Sequence, residues 1–301
     1  MVSPSSHVLA VRSSPALSGI LRSVRSWLER YPRVAWSVRA GRAIVHFGPW
    51  RHLFRAAIRV TRPRQPGGLT PTASLLAPID VAEAVGRLRE ESVYVAGVLP
   101  PELLARIRAV TDGLPVDAYT HANDANADVQ ALVSDPAILS VLRAHFGCEP
   151  VLLECTLGIV EPDAKGRDKA GPQRWFHFDF GGWQSLTLFV YLTDVDGSAA
   201  PHEVAAGTHQ RRGFRDAVRS SITDAEAYRR FGAAIRTITG PAGTMFFEDT
   251  EAFHRRAAVG RRRVMLNVLY ASHRGLFSHG RPGLSLRRHL TAAAAATTSP
   301  R

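Results

Sequence analysis

The apolar residues of this chain change their period near Gly147. Before it they recur at helical spacing. Leu17, Ile20, Leu21, Val24, Trp27 and Leu28 form one stripe, with Arg22, Arg25 and Glu29 off it. A second amphipathic stretch follows Pro49, where Arg51, Arg55, Arg59 and Arg62 make a basic row beside Leu53, Phe54 and Ile58. Residues 61–68 are rich in Pro and Gly and read as a linker. Asp80 is placed to cap a helix through Leu88, and residues 93–96 read as a short strand. Pro100-Pro101-Glu102 opens a helix that stops by Gly113, and Asp135-Pro136 opens another through Ala144, closed by Gly147.

After Gly147 the period becomes two. Strands are predicted over 150–160, 174–180, 185–193, 202–206, 234–239, 243–248 and 263–271, parted by Pro, Gly and Asp turns. Helices followed by a run of short strands predict a mainly-β fold with flanking helices, a jelly roll or sandwich. Three regions follow: a basic helical extension and linker over 1–68, a main domain over 75–289, and a frayed tail over 290–301 with five consecutive alanines.

Composition changes this picture in one respect. The net charge is +12, which suggests a nucleic-acid partner. Residues 1–65, however, hold twelve Arg against one acid, Glu29, so +11 of the charge lies there and the other 236 residues are nearly neutral. No base-reading motif accompanies the basic segment, which argues against nucleic acid. Its helices are read first as docked on the main domain; a basic face lying on an anionic membrane or a partner, and an Arg-rich targeting sequence, stay open. Cys148 and Cys155 make no disulfide framework, which suits a reducing, cytoplasmic setting. No apolar run reaches the roughly 18–20 residues of a transmembrane helix.

The candidate chemistry lies in Arg174-Trp175-Phe176-His177-Phe178-Asp179-Phe180, an apolar, aromatic stretch that should be buried. In a strand, positions i and i+2 share a side, so His177 and Asp179 would face one point. A buried carboxylate needs a cation or strong donor. A divalent metal held by two His and one carboxylate, with positions left open, meets that need and points to non-haem Fe(II). His254, seventy-five residues after Asp179, is the best placed second imidazole. The run Arg261-Arg262-Arg263 then leads into an alternating strand, where an Arg suits bidentate capture of a dicarboxylate.

Several of these segments together resemble the phytanoyl-CoA dioxygenase-like family of Fe(II)/2-oxoglutarate oxygenases. The resemblance covers roughly residues 80–275. It rests on His177-Phe178-Asp179, on 188–196 with the following Pro201-His202-Glu203-Val204-Ala205-Ala206-Gly207-Thr208-His209, on 243–254, and on 263–272 ending Tyr270-Ala271-Ser272. It implies a double-stranded β-helix, cupin-like core, Fe(II) on His177, Asp179 and His254, and an Arg on the distal carboxylate of 2-oxoglutarate. Counting back from Tyr270 selects Arg263 over Arg262, and alternation allows only one of them to serve. O2 would be the second cosubstrate, with succinate and CO2 released and a small molecule hydroxylated. Related halogenases carry Gly or Ala where this chain has Asp179, so halogenation is not expected. Thr187 is a candidate hydrogen-bond donor to 2-oxoglutarate, and Gln173 and Trp183 are candidate pocket residues. Asp194 and Asp196 are expected to hold a turn, His202 and His209 to be structural, and Asp249 and Glu251 to orient His254 or be solvated. Two alternatives remain: the same iron centre acting on a macromolecule docked by the basic arm, and a metal-binding jelly roll without oxygenase chemistry.

Overall fold

The computed structural model describes residues 31–62, 73–117, 119–122, 126–162, 174–274 and 284–285. The stripe at 17–28, most of the linker, Gln173 and the tail lie outside them. The helices are α1 (Pro32–Phe47), α2 (Trp50–Thr61), α3 (Val81–Glu91), α4 (Pro101–Ala109), α5 (Ala127–Val133), α6 (Pro136–Phe146), α7 (Phe214–Arg219) and α8 (Asp224–Phe231). The strands are β1 (Val93–Val98), β2 (Tyr119–His121), β3 (Val151–Val160), β4 (Phe176–His177), β5 (Ser185–Tyr191) and β6 (His202–Ala205). They continue with β7 (Ser221–Ile222), β8 (Ile235–Ile238), β9 (Thr244–Glu248), β10 (His254–Arg256), β11 (Arg263–Ala271) and β12 (Leu284–Ser285).

Local chemistry sets several of these ends. The Asp80 carboxylate accepts from Glu83 N at 2.9 Å and starts α3. Asp135 accepts from Ala137 N at 2.9 Å, Pro136 occupies the first turn, and Gly147 at φ +75° closes α6.

The strands form a jelly roll. One sheet has seven strands in the order β1-β9-β5-β11-β3-β2-β12, the other five in the order β7-β4-β10-β6-β8. From β3 to β11 the chain passes repeatedly between them: β3, β5, β9 and β11 lie in the large sheet, β4, β6, β8 and β10 in the small one. The main partners are antiparallel; β5 and β3 flank β11 over most of its length.

Strand alternation divides the large sheet into two buried faces. Leu186, Leu188 and Val190 of β5, with Leu266, Val268 and Tyr270 of β11, face out and pack beneath Leu88, Ile107, Leu132, Ile138 and Leu142 of α3–α6. Phe189, Tyr191, Phe246 and Met265 face in and meet Val204 and Ile238 of the small sheet. Both faces of β5 are therefore buried along its whole length, Ser185 and Thr187 included, and Leu188 to Tyr191 are apolar on both faces. The outer face of the small sheet, Phe176, Phe178, Ala205 and Ile222, lies against Phe47, Ala227 and Phe253.

The N-terminal helices dock on the domain. On α1, which the apolar pattern did not reveal, the small residues Ala40 and Ala43 pack on Ala217 and Val218 of α7. The basic row of α2 faces the protein. Arg51 pairs with Glu251 and donates to Trp183 O at 3.1 Å. Arg55 donates to Trp183 O at 2.7 Å, Arg59 to Phe146 O at 3.0 Å at the C-terminus of α6, and Arg62 to Ser272 O at 3.1 Å. Backbone carbonyls and one buried acid thus engage this row within the protein, and nothing in the described residues supports a membrane- or partner-facing role for it. Among the described residues no helix is long and apolar enough to cross a membrane.

Candidate metal centre

The structure shortens the predicted strand over 174–180. Only Phe176 and His177 are in β4; Asp179 lies beyond the strand end, tied to the 249–252 turn by Asp179 N donating to Thr250 O at 2.8 Å. Alternation survives the break, because Phe176 and Phe178 turn to the outer cluster. The expectation of full burial does not hold: the Asp179 side chain is 36% exposed and Trp175 lies largely in solvent. Aromatic flanks pack on the outer face and leave the inner end of this segment open.

His254 is brought to the pair by sheet register. It stands opposite His177 across the β10–β4 ladder and opposite Val204 of β6. The two imidazole centroids are 4.5 Å apart, and His254 Nε2 lies 3.7 Å from the Asp179 carboxylate. One nitrogen from each ring and one carboxylate oxygen all fall within 4.8 Å of one another. Both rings are oriented alike. His177 Nδ1 donates to Trp175 O at 2.8 Å, and His254 Nδ1 to Ala252 O at 3.0 Å. Each bond runs to the carbonyl two residues back and leaves Nε2 as a lone pair. Burial drives the His254 pKa down to about 4, so at neutral pH the ring is an unprotonated donor. Donors bonded at roughly 2.1 Å to one ion stand about 3 Å apart when adjacent, so these three groups are spaced somewhat wider than ligands of a bound ion. Two imidazoles and a carboxylate suit a borderline divalent cation of the Fe(II) type.

Arg263 and Arg262 diverge as alternation requires. Arg263 is inward and buried, donates to Ala200 O, and has no hydrogen-bond partner for Nε among the described residues. Burial lowers its pKa, and Arg256, two residues past His254, lowers it further. Arg262 points to solvent, 3.6 Å from Glu161. Thr187 is inward and buried but lies opposite Leu269 of β11 and Glu248 of β9. Six residues of strand, about 20 Å, separate that register from Arg263. The structure therefore does not bring Thr187 and Arg263 together: Thr187 stands at the register of Glu248, beside His254, and Arg263 at the far end of β11. Trp183 lies between Phe54 of α2, stacked at 4.1 Å, and His273 at 5.1 Å; it holds the extension in place. Gln173 lies outside the described residues.

The supporting acids divide cleanly. Asp194 accepts from Ala242 N and Asp196 from Ser198 N, both at 2.8 Å, so each holds a turn. Glu251 pairs with Arg51, and Asp249 accepts from Glu251 N at 3.1 Å. The acid nearest His254 is instead Glu248, 3.4 Å from Nδ1, with His202 on its other side. Sequence reading passed over Glu248; its signal was the inward set Thr244, Phe246, Glu248 in an alternating strand.

The fold is a two-sheet jelly roll, and the site is a cluster of two imidazoles and one carboxylate. The chain matches no protein-family model and no curated protein. Among solved structures it is similar to SnoN, a non-haem α-ketoglutarate-dependent epimerase from nogalamycin biosynthesis, at 18% identity over 68% of this chain and 90% of that one, with a TM-score of 0.50. HygX of Streptomyces hygroscopicus, with nickel and 2-oxoglutarate bound, matches at 13% identity over 67% and 95%, with a TM-score of 0.49. EctD of S. alaskensis, with 2-oxoglutarate and 5-hydroxyectoine, matches at 19% over 75% and 93%, with a TM-score of 0.48. At these identities the likeness is one of fold.

Proposed function

We propose that this protein is an Fe(II)- and 2-oxoglutarate-dependent dioxygenase of the phytanoyl-CoA dioxygenase-like type that hydroxylates a small molecule. One observation carries the reading: two imidazoles with their Nε2 lone pairs free and one carboxylate converge from β4, the segment after it and β10. His177, His254 and Asp179 would hold the metal. Bound there, Fe(II) supplies the redox chemistry that couples O2 and 2-oxoglutarate to substrate oxidation, with succinate and CO2 as coproducts. Asp179 offsets one positive charge of the ion, and the apolar inner layer of Phe189, Tyr191, Phe246 and Met265 keeps bulk water from the interior.

A small substrate is favoured over a docked macromolecule because the basic row of α2 is engaged within the protein and residues 66–301 are nearly neutral. Anaerobic titration with Fe(II) and then 2-oxoglutarate tests the centre. The expected result is a metal-to-ligand charge-transfer absorption that His254→Ala abolishes. Arg263→Ala tests the anchor that the family resemblance implies: metal binding within a few-fold of wild type with 2-oxoglutarate weakened by about 100-fold or more would support it, and unchanged 2-oxoglutarate binding would exclude it. A protein that binds metal without that absorption would be the non-catalytic jelly roll instead.

A further inference from the structure

Behind the face turned to the metal lies a second polar group. Glu248 ends β9 on its inward side, opposite Val93 of β1 and Thr187 of β5, and is completely buried. Among the described residues it pairs with no Arg or Lys. Its carboxylate stands between two imidazoles, one oxygen 2.6 Å from His202 Nε2 and the other 3.4 Å from His254 Nδ1. His202 is clamped in turn: its ring lies 4.8 Å from Phe189 and 5.5 Å from Phe246, and it stacks on His254 at 5.3 Å and 15°.

His202, Glu248 and His254 are the right residue types for a metal set of their own. Their spacing says otherwise. Two donors on one ion stand about 3 Å apart at ordinary bond lengths; His202 Nε2 and Glu248 stand closer, at 2.6 Å, as a close contact that lacks hydrogen-bond geometry. An acid buried at an inward strand position costs several kcal/mol that an apolar residue would not. What it faces accounts for it.

We propose that Glu248, fixed by His202, is a positioning residue for His254. Its carboxylate, 3.4 Å behind the Nδ1–H that bonds Ala252 O, acts through its charge: it keeps Nε2 aimed at His177 and Asp179 and makes that nitrogen a stronger donor to a divalent cation. This rests on the metal reading above and goes beyond it by making the two imidazoles unequal. His177 Nδ1 is held by the Trp175 carbonyl, with no acid paired to its ring at comparable distance among the described residues. Acids and carbonyls behind a ligating His raise its basicity, and their loss costs about 10–100-fold in metal affinity.

The test is calorimetric titration of the full-length protein with Co(II) and, anaerobically, Fe(II), alongside thermal melts of the metal-free protein. Glu248→Gln keeps the shape and should raise the metal Kd by about 10–100-fold and shift the Co(II) visible spectrum. His202→Gln keeps a polar group against Glu248 and should bind metal within about threefold of wild type. His202→Leu removes that group and should weaken binding by about five- to thirtyfold, an estimate below the full loss of the acid. The second pair keeps the idea testable should Glu248→Gln fail to fold. Variants that melt earlier yet bind metal like wild type would reduce Glu248 to a structural role and overturn the proposal. A wild-type protein that binds neither ion sinks the metal reading and this pairing together. A wild type that binds beside variants that bind equally well sinks the pairing alone.

Discussion

Replacing Arg51 with methionine should destabilise the protein by about 3–5 kcal/mol, the usual cost of leaving one partner of a buried ion pair alone. The side chains of Arg51 and Glu251 are 11% and 4% exposed, so water can replace the lost cation only after the α2 dock opens. Arg51 bonds both carboxylate oxygens and also donates to Trp183 O at 3.1 Å. Glu251→Met alone should cost a similar amount by stranding the guanidinium. The double variant places two apolar side chains in contact and should regain at least about 2 kcal/mol relative to the sum of the single losses. The assay is urea denaturation followed by tryptophan fluorescence, which reports on Trp183 stacked against Phe54. Salt up to molar concentrations should change the coupling little, because a buried pair is screened little. The effect should also reach the metal site. Glu251 sits in the turn whose Thr250 carbonyl holds Asp179 N at 2.8 Å and which leads into His254. Metal affinity should therefore fall in Arg51→Met and recover in the double variant. A loss below about 1 kcal/mol, the ceiling for an exposed pair, would refute the reasoning. So would a double variant no better than either single one.

Two further outcomes are expected. Gly243 has φ +97°, and a Cβ there would lie 2.9 Å from Val98 Cγ1 and 3.2 Å from Leu99 N; Gly243→Ala should cost about 1–3 kcal/mol in a thermal melt, and an unchanged midpoint would contradict this. Burial, then Arg55, pushes the His145 pKa down to about 3, below its unfolded value near 6.5. As pH falls below 6.5 the unfolded chain takes up a proton that the folded one refuses. Stability should thus decline between pH 6.5 and 3 by at most about 1.4 kcal/mol per unit from this residue. His145→Gln should flatten that slope, and an identical pH profile would rule the residue out as its source.

How much of this was legible beforehand depended on the range of the interactions. Asp80, the Asp135-Pro136 pair and Gly147 act on backbone groups within a few residues, so the ends of α3 and α6 could be placed from sequence alone. The alternation of β5 and β11 likewise showed which side chains turn in, and Arg263 and Arg262 diverge as that period requires. The helix α1 escaped notice because it docks through Ala40 and Ala43, small residues that leave hardly any apolar stripe. The basic row of α2 was visible, but its targets, the carbonyls of Phe146, Trp183 and Ser272 and the acid Glu251, are 87 to 210 residues away.

The sequence by itself determined the period of each segment, the caps that end them and the residue types on offer at 177, 179, 254 and 263. Only the tertiary structure decided which of these meet. Strand pairing is non-local, so the register that sets His254 against His177, keeps Thr187 away from Arg263 and slots Glu248 between two imidazoles is a property of the closed jelly roll, with no trace in any single stretch of chain.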